Sequence, residues 1–299
     1  MTPHDAYGAP PPRSTPQQTG MSRRSLLRIG WSDRARADID YEGVTARVRE
    51  EWERPGHESL LRALEPAAEV VAEVSGANAG HRVLDVGAAD GNVALACARR
   101  GASVDACDVA AAMVRRGRAR CAETGAVVAW RRADLQALPY ADESFDIVVS
   151  AFGAALAPRA RRSAHELARV CRPGGHVVLA AWVPRGLPGR LFEFVEAVDP
   201  LPDGVRSPAE WGRQAVVLER LTPLLDELTV RTRTVALRFA TADAMFAALA
   251  PVALDDARRD ALRPAFDRLL SSTNNRPPAA EVDARYLLVT GRVPSRLPY

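Results

Sequence analysis

Val83-Leu84-Asp85-Val86-Gly87-Ala88-Ala89-Asp90-Gly91-Asn92 is the stretch that decides the fold. A short apolar run ends in an acidic residue, a turn of small residues follows, and 93–100 reads as a helix. Strand, tight loop and helix N-terminus in that order make a place to hold a nucleoside-bearing cofactor. Small residues are needed there because a backbone approaches a ligand closely only where side chains do not intrude. A nicotinamide site would read G-x-G-x-x-G. Here the small residues stand at Gly87, Ala89 and Gly91 behind Asp85. That spacing does not cradle a pyrophosphate and suits a cofactor with a cationic, amino-acid-like end.

Working outward, strand-like and helix-like runs alternate. Strands are expected at 81–86, 103–108, 126–131, 145–150 and 176–181, with helices at 93–100, 110–123 and 159–171 between them. Arg172-Pro173-Gly174-Gly175 reads as the turn before the fifth strand. Such alternation predicts an α/β fold, a mostly parallel sheet with helices on both faces. Upstream, 40–53 and 58–74 carry apolar residues at helical spacing and are separated by Pro55-Gly56. Downstream of Trp182 the rhythm changes. Residues 184–211 are rich in Pro and Gly around a short helix at 190–197. A strand at 229–239, helices at 241–249 and 254–271, a loop at 272–278 and a last strand at 286–293 follow.

In open α/β sheets the ligand lies beyond the carboxyl ends of the strands. The second strand ends in Asp108, 23 positions after Asp85. That is close to the ~20-residue separation at which an acidic residue meets a ribose hydroxyl pair. Asp134-Leu135 follows the third strand and can take an amino group and cover a ring face. Each aspartate alone reads most often as a cap or turn residue. Three in order, each after a strand, form a set.

That set resembles the class I S-adenosylmethionine-dependent methyltransferases. The resemblance is carried by the opening stretch, by Val104-Asp105-Ala106-Cys107-Asp108 and by Ala133-Asp134-Leu135-Gln136-Ala137-Leu138-Pro139-Tyr140. Ser144-Phe145-Asp146-Ile147-Val148-Val149-Ser150 and Glu166-Leu167-Ala168-Arg169-Val170-Cys171-Arg172-Pro173-Gly174-Gly175 also match, and 286–292 fits the family's final strand. It implies a doubly wound sheet of seven strands, the last antiparallel, and S-adenosyl-L-methionine as cofactor. It implies that Gly87, Ala89 and Gly91 make backbone contacts to the methionine part, that Asp108 holds the ribose, and that Asp134 with Leu135 meets adenine. Asp85 and Ser150 are placed with this cofactor set. Val109 and Met113 either pack on adenine or form the core of the second helix. Ala89 departs from the glycine common in the family and brings a methyl group toward the cofactor.

The expected organisation is a disordered tail at 1–20, a basic segment and helical cap at 21–79 and a cofactor-binding core at 80–182. A lid with the sixth strand at 183–285 and a final strand and tail at 286–299 complete it. For the acceptor side, Tyr140, Phe152 and Trp182 are expected as pocket walls. No confident general base emerges; Tyr41 and His57 are the candidates. His81 and His176 begin strands, at the edge away from the cofactor.

Composition narrows the rest. The 299 residues carry a formal charge of +3 spread along the chain, too little to argue for nucleic acid. No lysine occurs, which removes Schiff-base and phosphate-loop lysine chemistry. Cys97, Cys107, Cys121 and Cys171 show no metal-ligand spacing and read as core thiols in a reducing cytoplasm. No metal is expected, and no acidic pair after the fourth strand suggests one. Ser22-Arg23-Arg24-Ser25-Leu26-Leu27-Arg28 resembles a twin-arginine signal, but the charged residues after it argue against export. No run is long enough to span a membrane. Ser150-Ala151-Phe152-Gly153-Ala154 lacks the signature of base-amine methylation. The expected activity is methyl transfer to O, N or C of a small metabolite. The alternatives are a non-catalytic subunit binding a protein partner through the arginine-rich segment 23–36, or a protein or RNA methyltransferase. A homodimer is compatible with any of these.

Overall fold

The computed structural model describes residues 39–273 and 279–295. The expected disordered tail, the basic segment 23–36, most of the 272–278 loop and the last residues lie outside the described residues. Three helices come first: α1 Tyr41–Glu53, α2 Glu58–Ala63 and α3 Glu65–Ser75. The core follows as β1 Arg82–Val86, α4 Asn92–Arg99, β2 Ser103–Asp108, α5 Ala111–Thr124, β3 Val128–Arg132, β4 Phe145–Ala151, α6 Ala160–Val170 and β5 Cys171–Trp182. The remainder is α7 Leu187–Val198, α8 Gln214–Leu221, β6 Asp226–Phe239, α9 Ala242–Leu249, α10 Asp256–Ser271 and β7 Ala280–Arg292. Short 3-10 turns cover Leu135–Ala137, Gly153–Leu156 and Pro208–Gly212.

The seven strands form one sheet in the order β3-β2-β1-β4-β5-β7-β6. β7 runs antiparallel to both its neighbours, and the other observed pairings are parallel. The chain therefore switches direction across the sheet between β1 and β4, which opens a crevice at their carboxyl ends. Successive strand residues point to opposite faces. Val83, Val104, Ala106, Ile147 and Val149 pack under α3 and α4, while Leu84, Val86, Cys107, Val148, Val177 and Leu179 pack toward α6 and α8. All four cysteines are buried. No helix among the described residues is long and apolar enough to cross a membrane.

Four local expectations are corrected. The single helix expected at 58–74 is two, broken at Leu64. Pro66 lacks the N–H that would bond back into α2, and it sits in the first turn of α3, where that loss costs nothing. The expected 172–175 turn is a bulge inside β5. The β4–β5 register jumps from Phe145↔Cys171 to Ile147↔His176, and Gly174 N and Val293 N bond across to Val293 O and Gly175 O. β7 begins at Ala280, not 286, because Ala280, Val282 and Ala284 alternate into the core opposite β6. Alanines are weak strand formers, so pairing rather than propensity sets this strand. Helix α8 stood in no expected element.

β6 and β7 are the long strands. Trp182 at the end of β5 pairs with Tyr286, so Ala280–Arg285 of β7 pairs only with β6. This two-stranded ribbon extends past the carboxyl edge of the sheet. Its Leu237, Phe239, Val282 and Ala284 share one apolar core with Met245, Phe246, Leu262 and Phe266 of α9 and α10.

Candidate cofactor and acceptor cleft

The carboxyl ends of β1, β2 and β4 and the turn after β3 meet at one cleft of about 780 Å³, mouth included. Gly87 and Ala89 line it from the loop after β1, Asp108 and Val109 from the end of β2, and Asp134 and Leu135 from the turn after β3. Ala151, Phe152 and Gly153 line it from the end of β4. The sheet brings these together because parallel pairing puts every strand's carboxyl end on the same edge.

The loop is shaped by close backbone approach. Gly87 has φ +63°, and a Cβ there would meet Gly153 Cα at 3.0 Å. A Cβ on Gly153 would lie 2.7 Å from Gly87 O. Ala89 also has positive φ, +48°, which an L-residue adopts only under constraint. The constraint is visible: Ala89 N donates to Asp108 Oδ2 at 2.9 Å, and Ala89 packs with Trp52 against Leu61, Ala110 and Met113. Its methyl group therefore has a protein bed as well as a cleft face. Phe152 is the second non-glycine lining residue with positive φ, +66°, held by its N–H to Ala180 O and by stacking on Trp182 at 4.1 Å and 13°.

Several expected site residues stand elsewhere. Strand alternation turns Asp85 to the Val83 face, away from the cleft lining. It is buried and accepts from Ala94 N at 2.9 Å, inside the first turn of α4. Gly91 is the N-cap of α4, and its α-carbon abuts Trp130, where a Cβ would fall 2.7 Å from the ring. It is packed against the protein and does not line the cleft. Met113 lies in the Leu61–Ala110 cluster, the core alternative for that residue. Ser150 is wholly buried; its hydroxyl donates to Val86 O and accepts from Ala154 N, tying β4 to β1. Tyr140 packs edge-on against Phe145 under Arg131, away from the cleft lining. Trp182 is one layer back, behind Phe152.

Neither base candidate lines the cleft. Tyr41 is buried beneath the Arg159 guanidinium, 4.9 Å from its ring centroid. His57 is buried, pairs with Glu51 O at 2.9 Å and stacks behind Trp52 at 4.5 Å. Both hold the cap together.

The N-terminal helices were expected to form part of the lid and to set the acceptor, but the residues of the wall they build opposite the sheet were not named. α1 presents Thr45, Val48 and Trp52, spaced i, i+3, i+7 along one helical face, and Leu61 of α2 and Leu64 at the break after it add to the wall. That spacing was the available signal, but nothing local says what the face covers. α1 is pinned by two carboxylates. Glu53 accepts from Ala111 N at 2.6 Å and Ala112 N at 2.9 Å, capping α5, which has no side-chain cap of its own. Glu51 accepts from Val252 N and Ala253 N at 2.8 and 2.7 Å, joining α1 to the lid. Gln136, also missed, donates to Thr45 Oγ1 at 2.9 Å and to the Asp134 carboxylate.

Burial pushes the Asp108 carboxyl up to about 6, against the pull of the Ala110 and Ala89 amides, with Glu53 adding repulsion. Burial likewise pushes Asp85 up to about 7, opposed by the Ala94 amide and reinforced by Asp108. Both remain acceptors for backbone N–H groups.

Comparison with known proteins agrees with this geometry. The pattern described as a methyltransferase domain matches residues 83–175. The chain is 41% identical over 155 residues to an uncharacterised protein of Mycobacterium tuberculosis, a match covering 52% of this chain and 57% of that one. It thus spans little more than half the length of that relative. It is 31% identical over 183 residues to a ubiquinone biosynthesis O-methyltransferase of Alkalilimnicola ehrlichii, covering 56% of this chain and 74% of that enzyme. The solved structure of YcgJ from Bacillus subtilis shares the fold with a TM-score of 0.55 at 21% identity, over 76% of this chain and 97% of that one. The chain belongs to the class I S-adenosylmethionine-dependent methyltransferase family.

Proposed function

We propose that the chain transfers a methyl group from S-adenosylmethionine to an O, N or C atom of a small metabolite in the cytoplasm, without a metal. The observation that supports this most directly is that Gly87, Ala89, Asp108, Val109, Asp134 and Leu135 line one cleft. Their chemistry fits the cofactor. Each Asp108 oxygen accepts one backbone amide, Oδ2 from Ala89 and Oδ1 from Ala110, both at 2.9 Å. A carboxylate has about four acceptor positions, so acceptor capacity is left over for a ribose hydroxyl. The mutual approach of Gly87 and Gly153 leaves bare backbone for the methionine part. Val109 and Leu135 supply apolar faces for the adenine, and Asp134 an acceptor for its amino group. Bound there, S-adenosylmethionine supplies an electrophilic methyl group on sulfur.

The chain's own share is position and exclusion of water. Among the described residues lining the cleft there is no His, Cys, Tyr or Arg. Holding two reactants in line and close supplies much of the acceleration for such a displacement. A small-molecule acceptor is further supported by the relative named for ubiquinone biosynthesis, and by another, 40% identical over 101 residues, named demethylmenaquinone methyltransferase. Calorimetry with S-adenosylhomocysteine tests the cofactor reading. Binding is expected for the parent chain, with at least a tenfold loss in Asp108→Ala. No binding, or no effect of the substitution, would refute it. Labelled cofactor in cell extract, fractionated by size, then reports whether the methyl appears in small molecules, protein or RNA.

A further inference from the structure

The cleft has two unlike sides. The sheet side carries the carboxylates Asp108 and Asp134. The opposite side is built from Val48, Trp52 and Leu64, and Phe152, Leu156 and Pro158 extend the apolar lining from the segment after β4. Thr45 supplies the hydroxyl on that side, and it is spent: Oγ1 donates to Tyr41 O and accepts from Gln136 Nε2, both at 2.9 Å. Arginines next to lining residues have contacts of their own, Arg162 Nε donating to Gln136 O at 2.6 Å among them. Arg132 Nε donates to Val109 O at 3.1 Å, and Arg159 lies over the Tyr41 ring. The wall therefore offers area without a counter-charge.

Resting on the methyl-transfer reading, we infer that the acceptor is an uncharged, flat, largely apolar molecule, and that the α1 face centred on Val48 and Trp52 selects it. An anionic acceptor would leave water for a wall with no cation, a cost that the cofactor's single sulfonium would have to offset alone. A cationic one would have to sit beside a sulfonium. An uncharged aromatic molecule loses nothing electrostatically and buries its faces against Trp52 and Phe152. Discrimination of this kind comes from unfavourable contacts with the wrong partner as much as from good contacts with the right one.

The test uses two probes of one shape, 2-naphthol and 2-naphthoate, titrated into the full chain at neutral pH with and without S-adenosylhomocysteine. Naphthol is expected to bind at least tenfold more tightly than naphthoate. Val48→Arg, on the half-buried face of α1, should reverse that preference, and Val48→Glu should leave naphthoate binding undetectable. Equal binding of the two probes, tighter naphthoate, or an unchanged ratio in whichever Val48 variant folds would overturn the acceptor class. A chain that prefers naphthol yet ignores S-adenosylhomocysteine would refute the cofactor reading and leave the acceptor class standing. A chain that binds S-adenosylhomocysteine and prefers naphthoate would do the reverse.

Discussion

Asp85→Asn should make the protein more stable at neutral and alkaline pH. The carboxyl is buried, and burial raises it from its ordinary 3.8 to about 7. The unfolded carboxyl releases its proton near 3.8, the folded one near 7, so folding takes up a proton between those values. Stability is then greatest below the lower value, falls as pH rises through the window, and levels off above pH 7. At about 1.4 kcal/mol per pH unit, the displacement amounts to about 4 kcal/mol at pH 8. Asparagine keeps an oxygen for Ala94 N but adds an amide N–H group that must find a partner, at about 1–2 kcal/mol. The net expectation is that Asp85→Asn is about 2–3 kcal/mol more stable than the parent at pH 8. For a domain of this size that is roughly 5 °C in Tm. The advantage should vanish, or turn into a small deficit, by pH 4. Urea unfolding of parent and variant at pH 4, 6 and 8 measures it, and other titrating groups cancel in the difference. A difference independent of pH, or a variant less stable at pH 8, would refute the reasoning.

Gly153→Ala places a methyl group 2.7 Å from Gly87 O and 2.9 Å from Gly87 Cα, which are backbone atoms that cannot rotate away. It should cost about 1–3 kcal/mol of stability, as overpacking does, and weaken S-adenosylhomocysteine binding at least tenfold by calorimetry. Glu53→Ala uncaps the Ala111 and Ala112 amides and frees one anchor of α1. A loss of about 1–3 kcal/mol should accompany faster amide exchange in 41–53 while the central strands stay protected; unchanged exchange in α1 would contradict its role as an anchor. Gly91→Ala forces φ +94° on an L-residue and drives a methyl group into Trp130. It should destabilise by at least about 2 kcal/mol from strain and overpacking together, read by denaturation.

Much of the core was legible in the chain itself. The run 83–92 shows its strand, loop and helix locally, because hydrogen bonding and burial repeat within a few residues. The order of Asp85, Asp108 and Asp134 at strand ends follows from that alternation. The same period of two ties Asp85 to Val83 and hence to α4, a constraint that its expected place among the cofactor residues overlooked. Other features were invisible for a physical reason. Gly91 looks like a ligand glycine until Trp130 is folded against it. Ser150 and Met113 are site candidates until their partners, Val86, Ala154, Leu61 and Ala110, arrive from other elements.

The sequence by itself determined the parallel core and the edge where ligands gather, because both rest on local periodicity and turn chemistry, while the cofactor was implied by the resemblance to a family. The tertiary structure decided which residues face the cleft and what closes it. Glu53 reaches α5 across 58 residues, and Gln136 reaches Thr45 across 91. Such contacts are fixed by packing between distant elements, and no window of neighbouring residues contains them.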